Sequence, residues 1–272
     1  MQALAPTAGC ATTVGVNEET IIAGAIPAAT LVIMRPGQSQ TDAELLLVKR
    51  ATTMAFAAGA VVFPGGRIDP DDHVVAAMHG ADPGDIEAAA RVAALRETIE
   101  ETGLAVGWPT LEHDAIDAVR AALLAEQPLS TILAERCNRL DLAELVPFAR
   151  WCPNFKESRT FDTWFFAVNA PDHGHQLSVT EAEHSHIFWD SAVGALDAAN
   201  RGDISIIFPT RRNLERLAGH ASLASFADHA RQFPVRRITP WIEERDGATM
   251  LCIPHDLGYP VAAEKWDIVR RG

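Results

Sequence analysis

The sequence predicts an α/β fold, in which short buried strands alternate with longer amphipathic helices. Runs of about five to eight residues are rich in β-branched residues and leucine, which is typical of buried strands. Longer segments, such as 86–102, place apolar residues three or four positions apart, as a helix packed on a sheet does. Of the 272 residues, 48% are hydrophobic and 22% are charged, so the chain has ample material for a core.

The first quarter of the chain predicts three strands and a glycine turn. Residues 1–18 show no periodicity, and we expect a flexible N-terminal arm ahead of a single domain over 19–272. The strands are predicted at 29–34, 44–50 and 59–63, and the third leads into Pro64-Gly65-Gly66. Glycines at this point allow the backbone to turn sharply and to approach a ligand or a metal ion.

A long helix is predicted at about 86–102. Its apolar residues Val92, Leu95 and Ile99 should face a sheet, and Gly103 should end the helix in the left-handed conformation. The preceding segment, 67–85, is predicted to be turn-rich because Asp69-Pro70-Asp71-Asp72 has the composition of a turn.

A helical insertion is predicted at about 108–147. It contains two amphipathic segments, 111–126 and 129–145, which are joined near Gln127-Pro128. The insertion could serve packing, shape a substrate pocket or form a dimer contact, and the sequence leaves these alternatives open.

The second half of the chain returns to strands and shorter helices. Residues 161–168 predict a central strand, because both faces are apolar apart from Asp162. The remaining predicted elements are an acidic loop at 177–183, a strand at 184–189, a helix at about 190–200, a helix with Thr210 as its N-cap, a helix at 222–232, and a hairpin of 236–244 and 249–253 around Asp246-Gly247.

Three carboxylates mark the end of the long helix. Glu97, Glu100 and Glu101 are spaced i, i+3 and i+4, so their side chains leave one face of the helix. On their own, three such glutamates more often form a solvated face. A divalent cation would remove their mutual repulsion, and Mg²⁺ prefers oxygen ligands of this kind. Arg96 can reach Glu100 at i+4, and we expect it to hold that side chain in place.

The glycine turn, the pairs Arg96-Glu97 and Glu100-Glu101, and Gly103 together resemble the Nudix box. That pattern is Gly, five residues, Glu, seven residues, Arg-Glu-apolar, any residue, Glu-Glu, any residue, Gly-apolar. Here Arg96 follows Gly66 by 30 positions (96 − 66) rather than fourteen, so we expect an insertion inside the box. Counted back from Arg96, the first box glutamate would fall on Ala88.

The resemblance implies an α/β/α sandwich with a mixed central sheet and a diphosphate hydrolase that uses Mg²⁺ or Mn²⁺. Glu97, Glu100 and Glu101 would then be catalytic metal ligands, and the backbone carbonyl of Gly66 would be a further ligand. Nudix sites often draw another carboxylate from a loop. The candidates here are Glu181 and Glu183, and we favour Glu183 as the fourth catalytic residue because of its spacing to Trp189.

Residues ahead of the box are similar to a pattern in Nudix coenzyme A diphosphatases. The pattern matches at Leu46, Leu47, Arg50, Gly59 and Phe63–Gly66, and it fails at Val48, Ala51 and Ala55. The chain resembles the longer branch of these enzymes, with which it also shares 159–163 and Pro209-Thr210. The resemblance implies that substrate is bound by Arg50, Phe63, Gly65 and Arg159.

Three functions are therefore weighed. The first is hydrolysis of a small organic diphosphate, with coenzyme A or an acyl-coenzyme A as the first expected substrate. The second is hydrolysis of ADP-ribose or another nucleoside diphosphate derivative. The third is a non-catalytic Nudix-fold module that binds a nucleotide, which the absence of a glutamate at position 88 favours and the three intact glutamates disfavour.

Composition limits the partners. A net charge of −13 is the opposite of what a phosphate-neutralising nucleic-acid binder shows. The four cysteines form no CxxC pair, which disfavours structural zinc and a disulfide framework. The first residues lack the features of a secretory signal, and no run approaches eighteen apolar residues, so we expect no membrane contact and a cytoplasmic location. A homodimer is expected from the family alone.

Overall fold

The structure is a computed structural model, described here for residues 24–37, 42–53, 57–136, 138–153, 159–171, 177 and 184–269. In chain order its strands are β1 Ile26–Arg35, β2 Glu44–Arg50, β3 Val61–Val62, β4 Gly65–Arg67, β5 Val146–Trp151, β6 Phe161–Asn169, β7 His184–Ser191, β8 Arg237–Ile238, β9 Trp241–Arg245, β10 Ala248–Cys252 and β11 Ala263–Lys265. The helices are α1 Pro70–Met78, α2 Ile86–Thr102, α3 Ile116–Leu124, α4 Leu129–Arg136, α5 Ala192–Arg201, α6 Phe208–Leu217, α7 Leu223–Ala230 and α8 Trp266–Val269.

The central sheet is mixed. Its strands run in the order β3-β2-β1-β6-β5-β8, with β4 paired to β1 and β7 paired to β2. The parallel pair β1–β6 forms the middle, and Ile26 lies opposite Phe161. A second, antiparallel sheet contains β9, β10 and β11. The predicted α/β class with a mixed central sheet is confirmed.

Helices cover both faces of the central sheet. Alternate side chains of β1 point to opposite sides, as strand geometry requires. Leu31 and Ile33 belong to a buried cluster with helix α2. Val32 and Met34 belong to a second cluster with Leu214 of α6 and the buried residues of α5 and α7. The core therefore has two halves, one on each face of the central sheet, and α2 packs against one of them.

Helix α2 has the predicted bounds. Asp85 caps its first turn by accepting a hydrogen bond from the Ala88 N–H, at 3.0 Å. Gly103 ends it with φ of 73°. Val92, Leu95 and Ile99 are fully buried, as predicted.

Two predictions near the glycines were wrong. Gly65 and Gly66 do not form a turn: they belong to β4, which pairs antiparallel with Ala28–Thr30 of β1. Segment 67–85 is not turn-rich throughout, because it contains α1. Asp69 is the N-cap of α1, Pro70 stands in its first turn, and Asp72 completes a capping box with Asp69. Aspartate followed by proline starts helices as well as turns, and the sequence interpretation chose the turn.

Other elements differ mainly in their ends. The predicted helices 111–126 and 129–145 shorten to α3 and α4, flanked by 3₁₀ turns at His113–Ala115 and Leu142–Glu144. Helix α6 is capped by Ile207 rather than Thr210. The third strand shortens to β3, and β5, β11 and α8 were not predicted.

The hairpin around Asp246-Gly247 is confirmed. Both residues have positive φ, 51° and 75°, which suits a tight turn between β9 and β10. None of the helices in the described part of the chain combines the length and the apolar character that crossing a bilayer requires.

Candidate active site

A cleft of about 1120 Å³ opens beside the end of α2. Both β4 glycines and the three helix-end carboxylates lie side by side in its lining. The four residues expected to bind substrate also line the cleft. The lining residues predicted from the sequence are Arg50, Phe63, Gly65, Gly66, Glu97, Glu100, Glu101 and Arg159.

Gly65 brings β4 against β1 and against the helix. A Cβ atom at Gly65 would lie 2.3 Å from the carbonyl oxygen of Ala29 and 2.7 Å from Cα of Thr30, so only glycine fits between these backbones. Its N–H donates a hydrogen bond to Oε2 of Glu101, at 3.0 Å. Glu101 is 4% exposed, so this bond satisfies a buried carboxylate. Glu101 therefore ties the end of α2 to β4.

Gly66 makes room for Glu97. A Cβ atom at Gly66 would lie 2.3 Å from Oε1 of Glu97. The carboxylate thus lies directly against the Gly66 backbone. We call this contact of the Glu97 carboxylate with the Gly66 backbone the cradle, and both of its residues line the cleft.

Arg96 organises the remaining carboxylates. Its guanidinium donates two hydrogen bonds to Asp72, at 3.0 and 2.9 Å, in a bidentate pair. It donates further bonds to Glu97 at 3.0 Å and to Glu100 at 3.3 Å. A last bond, at 2.9 Å, goes to the carbonyl of Arg67 just after β4. The predicted Arg96–Glu100 contact is present, and it is one of several.

The burial of these groups shifts their pKa values. Burial raises the pKa of Glu97 to about 7, although the Arg96 charge opposes that rise. Burial also raises the pKa of Glu100 and of Asp72, again against Arg96. Burial alone would lower the pKa of Arg96, but the hydrogen bond to Asp72 and the charge of Glu97 outweigh it and raise that pKa.

Asp72 is the site residue that the sequence interpretation missed. It is fully buried and is the main partner of Arg96. Counting forward from Gly66, five residues and then an acid, leads directly to Asp72. The backward count from Arg96 ends on Ala88, which lies in the first turn of α2. The sequence signal for Asp72 is therefore its distance from Gly66 and not its distance from Arg96.

The three carboxylates are hydrogen-bonded to protein groups: Glu97 and Glu100 to Arg96, and Glu101 to the Gly65 N–H. In the described part of the chain, no three histidine, cysteine, aspartate or glutamate side chains already converge as a metal site. The donor set nevertheless fits a hard cation: Glu97, Glu100 and Glu101 offer carboxylate oxygens, and the cradle sets the Gly66 backbone against Glu97. Glu181 and Glu183 lie outside the described residues.

Aromatic side chains and the first turn of α6 also line the cleft. These residues are Trp151, Phe161, Phe165, Phe208, Thr210 and Trp266. The cleft lining therefore combines carboxylates with aromatic side chains.

Comparisons with solved structures show a similar fold in a bacterial protein. The crystal structure of a NUDIX hydrolase from Alicyclobacillus acidocaldarius shares 29% sequence identity, with a TM-score of 0.67. The alignment covers 76% of this chain and 97% of that one. The MutT protein of Methanosarcina mazei Go1 aligns over 73% of this chain and 96% of its own, at 17% identity with a TM-score of 0.40.

One curated relative is also similar in sequence. The Caenorhabditis elegans protein named "Putative nudix hydrolase 7" is 28% identical over 188 residues. The match spans 66% of this chain and 57% of that protein, little more than half of its length. No family model matches the chain. The relative's name and the Alicyclobacillus acidocaldarius structure support the Nudix hydrolase superfamily.

Proposed function

We propose that this chain, which is similar to Nudix hydrolases in sequence and fold, is a metal-dependent hydrolase of an organic diphosphate. The observation that carries the proposal is the joint position of Glu97, Glu100 and Glu101 with the β4 glycines, side by side in the lining of a large cleft. We further propose that Asp72 is the first acid of the box, which places the insertion between Asp72 and Arg96. Helix α1 lies within that insertion.

The residues divide the work of such a reaction. Glu97, Glu100 and Glu101 would hold Mg²⁺ or Mn²⁺ together with the Gly66 carbonyl. A bound divalent ion would supply charge neutralisation at the diphosphate and would lower the pKa of water. Arg96, fixed by Asp72, orients Glu97 and Glu100.

Coenzyme A or an acyl-coenzyme A is the first proposed substrate, and ADP-ribose or another nucleoside diphosphate derivative is the second. Support for a nucleotide-like substrate comes from the aromatic residues that line the cleft, since a base can stack on aromatic rings. Arg50 and Arg159 line the same cleft, and we propose that they contact the substrate's phosphates.

The test is Glu100→Gln, assayed on a panel of these diphosphates with Mg²⁺ or Mn²⁺. We expect turnover to fall at least about hundredfold, because the substitution removes a charged metal ligand. Glu112→Gln, an exposed glutamate outside the cleft, is the matched control and should keep full activity. Equal activity of the wild type and Glu100→Gln would remove the proposed metal role, and a wild type inactive on the whole panel would favour the binding-module alternative.

A further inference from the structure

Helix α3 ends on a glutamate whose backbone conformation favours glycine. Glu126 follows the helix with φ of 60°, in the left-handed region. Its N–H donates to the carbonyl of Leu123 at 2.8 Å, and the Gln127 N–H donates to the carbonyl of Ala122 at 3.0 Å. This pair of bonds is the Schellman motif, in which glycine usually occupies the left-handed position.

Two other helices of this chain show the usual choice. Helices α1 and α5 end with the same pair of bonds, and their left-handed residues are Gly80 and Gly202, with φ of 88° and 81°. A side chain in this conformation costs folding energy because its Cβ crowds the backbone. Asparagine and aspartate tolerate the conformation better than most residues, and glutamate does not share that advantage. The end of α3 therefore does not explain Glu126, and strained positions of this kind cluster at functional sites.

Glu126 presents an uncommitted carboxylate to the cleft. The residue is exposed and belongs to the cleft lining. No group in the described ranges forms a hydrogen bond or an ion pair with its carboxylate. Its neighbours along the chain that also line the cleft are uncharged: Leu123, Gln127, Pro128 and Leu129. The α3–α4 turn, residues 125–128, thus offers the cleft a single free carboxylate.

The α3–α4 turn is held on both sides by elements of the proposed metal site. Before the turn, Nε of Arg120 donates to the carbonyl of Glu100 at 3.0 Å. After the turn, Asp71 of α1 accepts hydrogen bonds from the N–H and the hydroxyl of Ser130, at 2.9 and 2.6 Å. Asp71 directly precedes Asp72 of the buried ion pair. The turn is therefore preorganised relative to α1 and α2 rather than adaptable.

A free carboxylate in this position suits the organic part of a substrate better than its diphosphate. Like charges repel, so Glu126 does not pair with phosphate oxygens. An ionised carboxylate only accepts hydrogen bonds, and its bonds to N–H and O–H donors are stronger than those of a neutral acceptor. Coenzyme A carries hydroxyl and amide donors in the chain attached to its diphosphate, and ADP-ribose carries hydroxyl donors on its terminal sugar.

We infer that Glu126 contacts the organic group attached to the diphosphate and accepts hydrogen bonds from its hydroxyl or amide groups. This inference rests on the proposed function and deepens it, because it gives the helical insertion a part in substrate selection. Glycine would relax the backbone at position 126, but it has no side chain to supply the acceptor. The strained glutamate is then the compromise between the stability of α3 and recognition of the substrate.

The test is Glu126→Gly, assayed on coenzyme A and ADP-ribose with Mg²⁺ or Mn²⁺. Glycine relaxes the left-handed position, so Tm should rise by about 2–4 °C. The variant loses the acceptor, so KM for the cleaved substrate should rise about tenfold while kcat changes less than about threefold. Glu126→Gln keeps a neutral acceptor and should raise KM less. The matched control is Asp246→Gly, at another left-handed residue, with φ of 51°, outside the cleft, and it should leave KM unchanged.

The outcomes separate this contact from the proposed function. A more stable Glu126→Gly variant with the KM of the wild type would overturn the contact and leave the hydrolase intact. A fall in kcat at unchanged KM would also overturn it, because binding of the organic group acts on KM. If the wild type cleaves neither compound, the hydrolase proposal fails for both, and calorimetric binding of the same compounds decides the contact. Weaker binding by Glu126→Gly would support it, and equal binding, or no binding by the wild type, would overturn it.

Discussion

Arg96 shows how one buried cation can set the positions of several carboxylates. Its guanidinium is 9% exposed and contacts Asp72, Glu97 and Glu100 together. A buried cation with only part of this set would be costly, because desolvation of a charge must be offset by paired hydrogen bonds. The carboxylates thus stabilise Arg96, and Arg96 in turn limits the rotamers of Glu97 and Glu100.

The substitution Asp72→Asn tests the contribution of the buried Arg96–Asp72 pair to stability. The neutral amide keeps the shape but removes the charge of the bidentate partner, so the free energy of unfolding should fall by about 3 kcal/mol. Urea denaturation measures the loss. Asp228→Asn, in an exposed pair with Arg231, is the control and should cost below about 1 kcal/mol. Similar losses in the two variants would contradict a structural role for the buried pair.

The site residues were unequally predictable from the sequence. Glu97, Glu100 and Glu101 follow from helix periodicity, because residues at i, i+3 and i+4 share a face whatever lies around them. Asp72 stands 24 positions from Arg96. Their pairing depends on the path of the intervening chain, which local spacing does not encode.

Among the elements, α2 and α1 illustrate why some segments are easier to predict than others. Helix α2 has an aspartate cap, a long apolar stripe and a glycine stop, and all three signals agree. Helix α1 starts with Asp69-Pro70, which is equally common in turns. Strand β5, which the sequence analysis did not predict, contains a proline and has a register shift between Pro147 and Ala149.

The close packing of strand β4 on β1 depends on Gly65. Gly65→Ala should displace β4 from β1, because the added Cβ would meet backbone atoms of Ala29 and Thr30 that are fixed by the sheet. We expect a loss of several kcal/mol in stability, in the range of overpacking and strain, together with loss of turnover. Thermal and urea unfolding measure it.

The matched control is Gly84→Ala. Gly84 also has positive φ, 87°, but a Cβ there would have nothing within 4 Å. Only the conformational cost of about 1–2 kcal/mol should remain. If Gly65→Ala were no worse than this control, the close approach of β4 to β1 would not be what requires glycine at position 65.

For the whole molecule, the buried ionisable groups couple stability to pH in opposing directions. The raised pKa of Glu97 means that the folded state binds its proton more tightly than the unfolded state does. Its contribution is complete below the ordinary value of 4.5 and is lost as the pH rises to about 7. His220 and His229 act oppositely, because burial lowers their pKa and their protonation below 6.5 favours unfolding.

Comparison of the wild type with Glu97→Gln isolates the pH-dependent contribution of the Glu97 carboxyl to the free energy of unfolding. In a chelator, the stability of the wild type relative to the variant should fall by roughly 3 kcal/mol at most between pH 4.5 and 7. Denaturant unfolding of both proteins at several pH values measures the difference. A difference that stays constant or grows with pH would contradict the burial of a protonated Glu97.

Local chemistry in the sequence was sufficient for the α/β class, the bounds of α2, its left-handed glycine end and the acidic face near it, since each depends on neighbours within a few positions. Tertiary structure alone decided the rest. Ile26 lies beside Phe161, Arg96 pairs with Asp72, and the start of α6 lines the same cleft as the α2 carboxylates. These contacts join residues distant along the chain, and their geometry is set by how the two halves of the core pack on the mixed sheet, which no local pattern specifies.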